Sequence, residues 1–150
     1  MTNADKAAEN FMRGCNCAQA VLLTYAPKLG LSEKDALHMA SSFGGGMGHL
    51  RETCGAVTAM FLIAGMVRGY DNVEDSSYKR EHYNLIQQLA AKFNEKYGTI
   101  NCGELLRETK NTLTPAERTK EYYKVRPCVR FVRTAADIID EVLFDGPTAG

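Results

Sequence analysis

Between residues 75 and 97 the apolar or ring-bearing side chains fall at 78, 82, 85, 86, 89, 93 and 97, close to a 3.6-residue period over many turns. An α-helix puts such positions on one face, whereas a strand, with its period of two, would scatter them over both. No other feature constrains the fold as strongly, since no stretch of convincing length alternates apolar and polar residues as a half-buried strand does.

The other segments agree with a helical reading. Asn3 to Met12 carries Ala7, Ala8, Phe11 and Met12 on one face, and Cys17 to Leu29 continues with Ala18, Val21, Leu22 and Tyr25 until Pro27 and Gly30 close it. Ser32 with Asp35 resembles a capping box and opens a helix to about Phe43, stopped by the glycines between 44 and 48. Gly55 to Gly69 is apolar nearly all round, which marks a central helix. Asn101 to Arg107 suits a short helix, and Thr114-Pro115-Ala116-Glu117 joins an N-cap, a proline at the first helical position and a capping glutamate. From Cys128 to Phe144 apolar positions again repeat helically before Gly146-Pro147. The expectation is an all-α fold, a single-domain helical bundle over residues 1–150 with about five to seven helices.

Several function classes drop out early. Eighteen Lys and Arg balance eighteen Asp and Glu, so no global field favours nucleic acid or an anionic membrane. The longest apolar run, Ala56 to Val67, is broken by Thr58 and Gly65 and is shorter than the ~20 residues of a membrane span. Asp5, Lys6, Glu9 and Arg13 give the N-terminus an amphipathic rather than a signal-peptide pattern, so the expected location is the cytoplasm. The glycine run is not followed by Gly-Lys-Ser/Thr and not preceded by a strand, which argues against nucleotide. Hydrolase and nucleic-acid signatures are also missing.

Five cysteines, at 15, 17, 54, 102 and 128, are out of proportion for a reducing compartment. Any one of them could be a small buried hydrophobe. Yet Cys17, Cys54 and Cys128 sit at or just before expected helix starts, and Cys102 lies in the short segment after Gly98. Unpaired N–H groups and the helix dipole lower a thiol's pKa there, favouring the thiolate that acts as nucleophile or metal ligand. None of the separations 17 to 54, 54 to 102 or 102 to 128 makes a C-x-x-C knuckle, so a common site must be assembled by packing. Cys15 is too close to Cys17 for an unstrained disulfide and reads as an extra thiol.

The residues Asn16-Cys17-Ala18-Gln19-Ala20-Val21, Phe43-Gly44-Gly45-Gly46-Met47-Gly48, Cys54-Gly55-Ala56-Val57-Thr58-Ala59 and Asn101-Cys102, with a last cysteine at 128, resemble the C_GCAxxG_C_C family of redox-active proteins. The resemblance covers most of the chain and maps the family's four cysteines onto Cys17, Cys54, Cys102 and Cys128. Ala59 stands where the motif ends in glycine. A related domain in split-Soret cytochromes resembles an iron-sulfur carrier, but this chain has no C-x-x-C-H, so haem is not expected.

These readings lead to three candidate functions. In the first, the four cysteines hold an iron-sulfur cluster of the [2Fe-2S] type and pass electrons to a redox protein partner. In the second, Cys54 is the reactive thiol of a thiol-disulfide oxidoreductase. In the third, the four cysteines hold structural zinc. Gly44, Gly45, Gly46 and Gly48 would let backbone N–H groups converge beside Cys54 as cofactor-binding donors, with Arg51 adding charge; the plain alternative is a tight connection that needs positive φ. Arg126 and Arg130 flank Cys128 in a basic stretch from 107 to 133, suited to a solvated face, charge compensation or an acidic redox partner. His49 is the candidate proton relay, while His38, His82, Met47, Met60 and Met66 read as packing or surface residues. A homodimer is a further expectation, from an apolar helix face left exposed.

Overall fold

A computed structural model of the chain describes residues 1–106 and 128–145. Seven helices occupy them: α1 Asn3–Met12, α2 Cys17–Leu29, α3 Glu33–Ala40, α4 Gly55–Arg68, α5 Ser76–Tyr97, α6 Cys102–Leu105 and α7 Cys128–Leu143. Among the described residues there is no strand, only an isolated antiparallel bridge between Thr53 and Asn101. The all-α expectation holds. The helix expected from Thr114, Arg126, most of the basic stretch and the Gly146-Pro147 close lie outside the described residues.

Local chemistry sets the boundaries. Thr2 and Asp5 form a capping box at α1, and Asn16 and Gln19 form one at α2. Gly30, at φ 71°, ends α2, with Pro27 tolerated inside its last turn. Ser32 caps α3 by accepting from the Asp35 N–H. That helix stops at Ala40 rather than near Phe43, because Ser41 turns both its N–H and its hydroxyl back onto the His38 carbonyl.

One hydrophobic core runs through the bundle, with α2 at its centre against α1, α3, α4 and α7. Val21, Leu22, Met60, Ile63, Val132 and Ile139 are fully buried. The first half of α4 is as central as its composition implies, but Met66 near its end is exposed. In α5 the long apolar stripe is covered only towards its C-terminus, at Leu89 and Phe93, and Tyr78 and Tyr83 are exposed. A buried polar knot ties three helices: Asp140 Oδ1 accepts from Tyr25 Oη (2.8 Å) and Asn3 Nδ2 (2.9 Å). No helix among the described residues is long and apolar enough to cross a membrane.

Candidate functional site at four helix starts

The glycine run forms the turn from α3 towards α4. Backbone φ is positive at Gly45, Gly46, Met47, Gly48 and His49, and again at Arg51 (63°). A non-glycine residue in this region is strained by ~1–2 kcal/mol, and such strain clusters at functional sites. The glycines answer different needs. A Cβ on Gly44 would lie 2.5 Å from the Asn16 side chain, and one on Gly46 would lie 2.5 Å from Cys102 Cβ, whereas Gly48 has nothing nearer than the Ser42 carbonyl at 3.6 Å. The close approach to a cysteine therefore occurs at Cys102, where the sequence had suggested Cys54. The loop also uses its own donors: the N–H groups of Met47, His49, Arg51 and Glu52 donate to the carbonyls of Phe43, Gly44, Gly45 and Gly46.

Beyond the loop, residues 52–54 run antiparallel to 100–102. The Cys54 N–H donates to the Ile100 carbonyl (2.8 Å) and the Cys102 N–H to the Glu52 carbonyl (2.6 Å), on either side of the Thr53–Asn101 bridge. Cys54 is the N-cap of α4, and Cys102 opens α6. A Cβ on Gly55 would stand 2.8 Å from the Phe43 carbonyl and 3.1 Å from the Ala18 nitrogen, so α4 begins pressed against the start of α2, where Cys17 lies. Cys128 opens α7.

None of the five cysteines is held in a disulfide; Cys15 is half-buried, and the other four are 3–8 % exposed. The Cys17 thiol shares a hydrogen bond with Cys128 and feels the charge of Cys54 and Cys102; Cys54 in turn feels Cys128 and Cys102. The fold thus makes neighbours of residues far apart in sequence. Among the described residues, no three Cys, His, Asp or Glu side chains are arranged, as they stand, to hold a metal ion.

The protonation behaviour corrects the expectation of thiols acidified by helix starts. Cys17 is pushed well up, first by its hydrogen bond with Cys128 and then by burial. Burial pushes Cys54 up to about 12, although the N–H groups of Ala56 and Val57 pull the other way. The helix-start effect operates at Cys54, but loss of water outweighs it.

Arg51 is the residue whose setting the sequence concealed. It is only 5 % exposed, and its Nη1 donates to Cys102 Sγ at 3.5 Å. Its Nε and Nη2 have no hydrogen-bond partner among the described residues. The ion pairs found among the described residues, Lys92–Glu141 and Arg133–Asp5, do not involve it. Of the other candidates, His49 packs its ring against Gly45, His82 lies 6.0 Å from the Tyr70 ring, and Arg130 is exposed. The Asn-Cys pairs at 16–17 and 101–102 were the signal available in the sequence: each Asn side chain caps its helix, accepting from the N–H of Gln19 or Glu104, and so places the following cysteine in the first turn.

A family model described as "Putative redox-active protein (C_GCAxxG_C_C)" matches residues 15–142. No curated protein and no solved structure matches the chain.

Proposed function

The chain belongs to the C_GCAxxG_C_C family, and on that premise we propose that it is a redox protein in which Cys17, Cys54, Cys102 and Cys128 hold a [2Fe-2S] cluster and pass electrons to a protein partner. The observation that carries this reading is the gathering of four buried thiols from four helix starts beside a buried cation. Four thiolates around a [2Fe-2S] core or a zinc ion leave a charge of about −2, which a protein interior accepts only with donors or cations nearby. Arg51 answers that need, with one nitrogen on Cys102 Sγ and two more unpartnered. Gly46 leaves room for Cys102, and the shell of α2, α4 and α7 excludes water. A bound cluster supplies electron transfer. The raised thiols of Cys17 and Cys54 make loading a proton-releasing step that strengthens as pH rises.

Anaerobic purification with iron and sulfide analysis tests the proposal. Visible absorbance with matched iron and sulfide is expected. Colourless protein lacking both, from cells with active cluster assembly, would sink it, and one equivalent of zinc with no visible band would point to a structural zinc site.

The hydrogen bond between Cys17 and Cys128 favours one second reading, thiol-disulfide exchange. One thiolate of the pair attacks a disulfide oxidant and expels the first thiol; the other thiolate attacks the mixed disulfide and expels the second. The protein gains a Cys17–Cys128 disulfide and the oxidant becomes two thiols. Cys17, through its hydrogen bond with Cys128 and burial, and Cys54, through burial, are both held protonated, so it is the hydrogen-bonded proximity of Cys17 and Cys128, and not acidity, that favours this pair over Cys54. Oxidised glutathione should then remove two thiols from the metal-free protein, and two from Cys54→Ser, but form no internal disulfide in Cys17→Ser. Loss of the internal disulfide in Cys54→Ser would restore Cys54 as the attacking residue.

A further inference from the structure

A guanidinium is permanently charged, and burying one without a counter-charge costs several kcal/mol. Arg51 is such a group: its backbone lies at φ 63°, its side chain is buried, and no carboxylate among the described residues pairs with it. The one side-chain hydrogen bond it makes among the described residues, to Cys102 Sγ at 3.5 Å, goes to a weak sulfur acceptor and occupies Nη1. The unpartnered nitrogens are Nε and Nη2, which share one edge of the guanidinium plane. That edge carries two parallel N–H bonds, the fork that grips two oxygens of one anion.

We infer that in the metal-free protein Arg51 is an anion receptor, binding a small planar oxyanion of the carboxylate or bicarbonate class on its Nε–Nη2 edge, beside Cys102. Two observations select the ligand. A single unmatched positive charge suits a monoanion, because a dianion would leave negative charge buried in its place. The surroundings are tight: Arg51 Nε and Nη2 are fully buried, so a ligand reaches them only by displacing packed atoms, which favours the smallest oxyanions over bulkier ones. The inference concerns the chain without metal, so it stands or falls separately from the cluster reading.

The test uses the chelator-treated full chain with 15N-labelled arginine. Sodium formate, sodium bicarbonate and sodium sulfate are titrated at matched ionic strength while the Arg Nε–H resonances are followed. Formate or bicarbonate should move one of these resonances saturably, sulfate should move it at least ~10-fold more weakly, and the melting temperature should rise with the same saturation. Arg51→Lys keeps the charge and removes the fork, so the formate-dependent rise in melting temperature should disappear. If Arg51→Lys does not fold, the wild-type resonances decide alone. Nε–H signals unmoved by formate and bicarbonate would overturn the receptor; sulfate binding as tightly as formate would overturn the planar monoanion; and an undiminished formate effect in folded Arg51→Lys would overturn the fork.

Discussion

Substituting Gly46 by alanine tests the architecture of the site most directly. The added Cβ would stand 2.5 Å from Cys102 Cβ, 2.8 Å from the Glu52 nitrogen and 3.0 Å from Arg51 Cα, at φ 74°. Two of those three neighbours are backbone atoms, held by the ladder that joins Glu52 to Cys102. They cannot rotate away as the end of a long side chain would. The left-handed conformation costs an alanine ~1–2 kcal/mol and overpacking adds ~1–3 kcal/mol, for a total of ~2–5 kcal/mol. Gly48→Ala is the matched control, since φ is 58° but the nearest atom is 3.6 Å away, leaving only the conformational part, ~1–2 kcal/mol. Urea unfolding of the two metal-free variants, with m-values compared, measures the difference. Gly46→Ala should be the less stable by ~1–3 kcal/mol. It should also lose bound metal, by displacing Cys102, while Gly48→Ala keeps it. Midpoints within ~0.5 kcal/mol of each other would show that φ alone explains both glycines and would refute the close-packing argument.

Serine at Cys17, Cys54, Cys102 or Cys128 should each lower the metal content of anaerobically purified protein, whereas Cys15→Ser should leave it unchanged, because Cys15 is only half-buried. Tyr25→Phe removes a donor from Asp140 Oδ1 and should cost ~1.5–3 kcal/mol by urea unfolding; a loss below ~0.5 kcal/mol would mean that Asp140 is well served by Asn3 alone. For Cys54, raised from 9.0 to about 12, the protonated form is favoured by folding, so its contribution is complete below pH 9 and is lost as pH rises through about 12. The metal-free protein should therefore weaken over that window by up to ~4 kcal/mol from this thiol, and Cys54→Ser should flatten the profile; a flat wild-type profile would contradict the burial argument.

The helices were largely legible because their signals are local. Thr2 with Asp5 and Gly30 act within one turn of the ends they define, and the expected spans of α1 and α2 coincide with those found. Where tertiary packing decides, the sequence misleads. The period in α5 identifies a face, but only Leu89 and Phe93 are fully covered, because no periodicity reports how far the neighbouring helices extend. Ser41 ended α3 through a side-chain bond that competes with helix propagation, a choice the apolar pattern towards Phe43 does not register.

The four cysteines stood out through family resemblance and through their helix starts, but the acidity of Cys17 and Cys54 was read with the wrong sign. A helix start acidifies a thiol that water also reaches, whereas burial removes the water and packing brings Cys17 and Cys54 within electrostatic reach of the other two thiols. Cys54 shows both effects at once, with the N–H groups of Ala56 and Val57 lowering its pKa and burial raising it further. Arg51 was legible as a charge near the cysteines, but not as a buried one, since its charge is local information and its burial is not. Together these two features are what support the proposed cluster. Without metal, an unmatched guanidinium lies against the Cys102 sulfur; on the proposed reading, the negative charge of four thiolates on a cluster has Arg51 already beside Cys102 to meet it. The proton released by each ligand on loading is the link between the two states, so metal affinity should steepen with pH until the thiols have titrated.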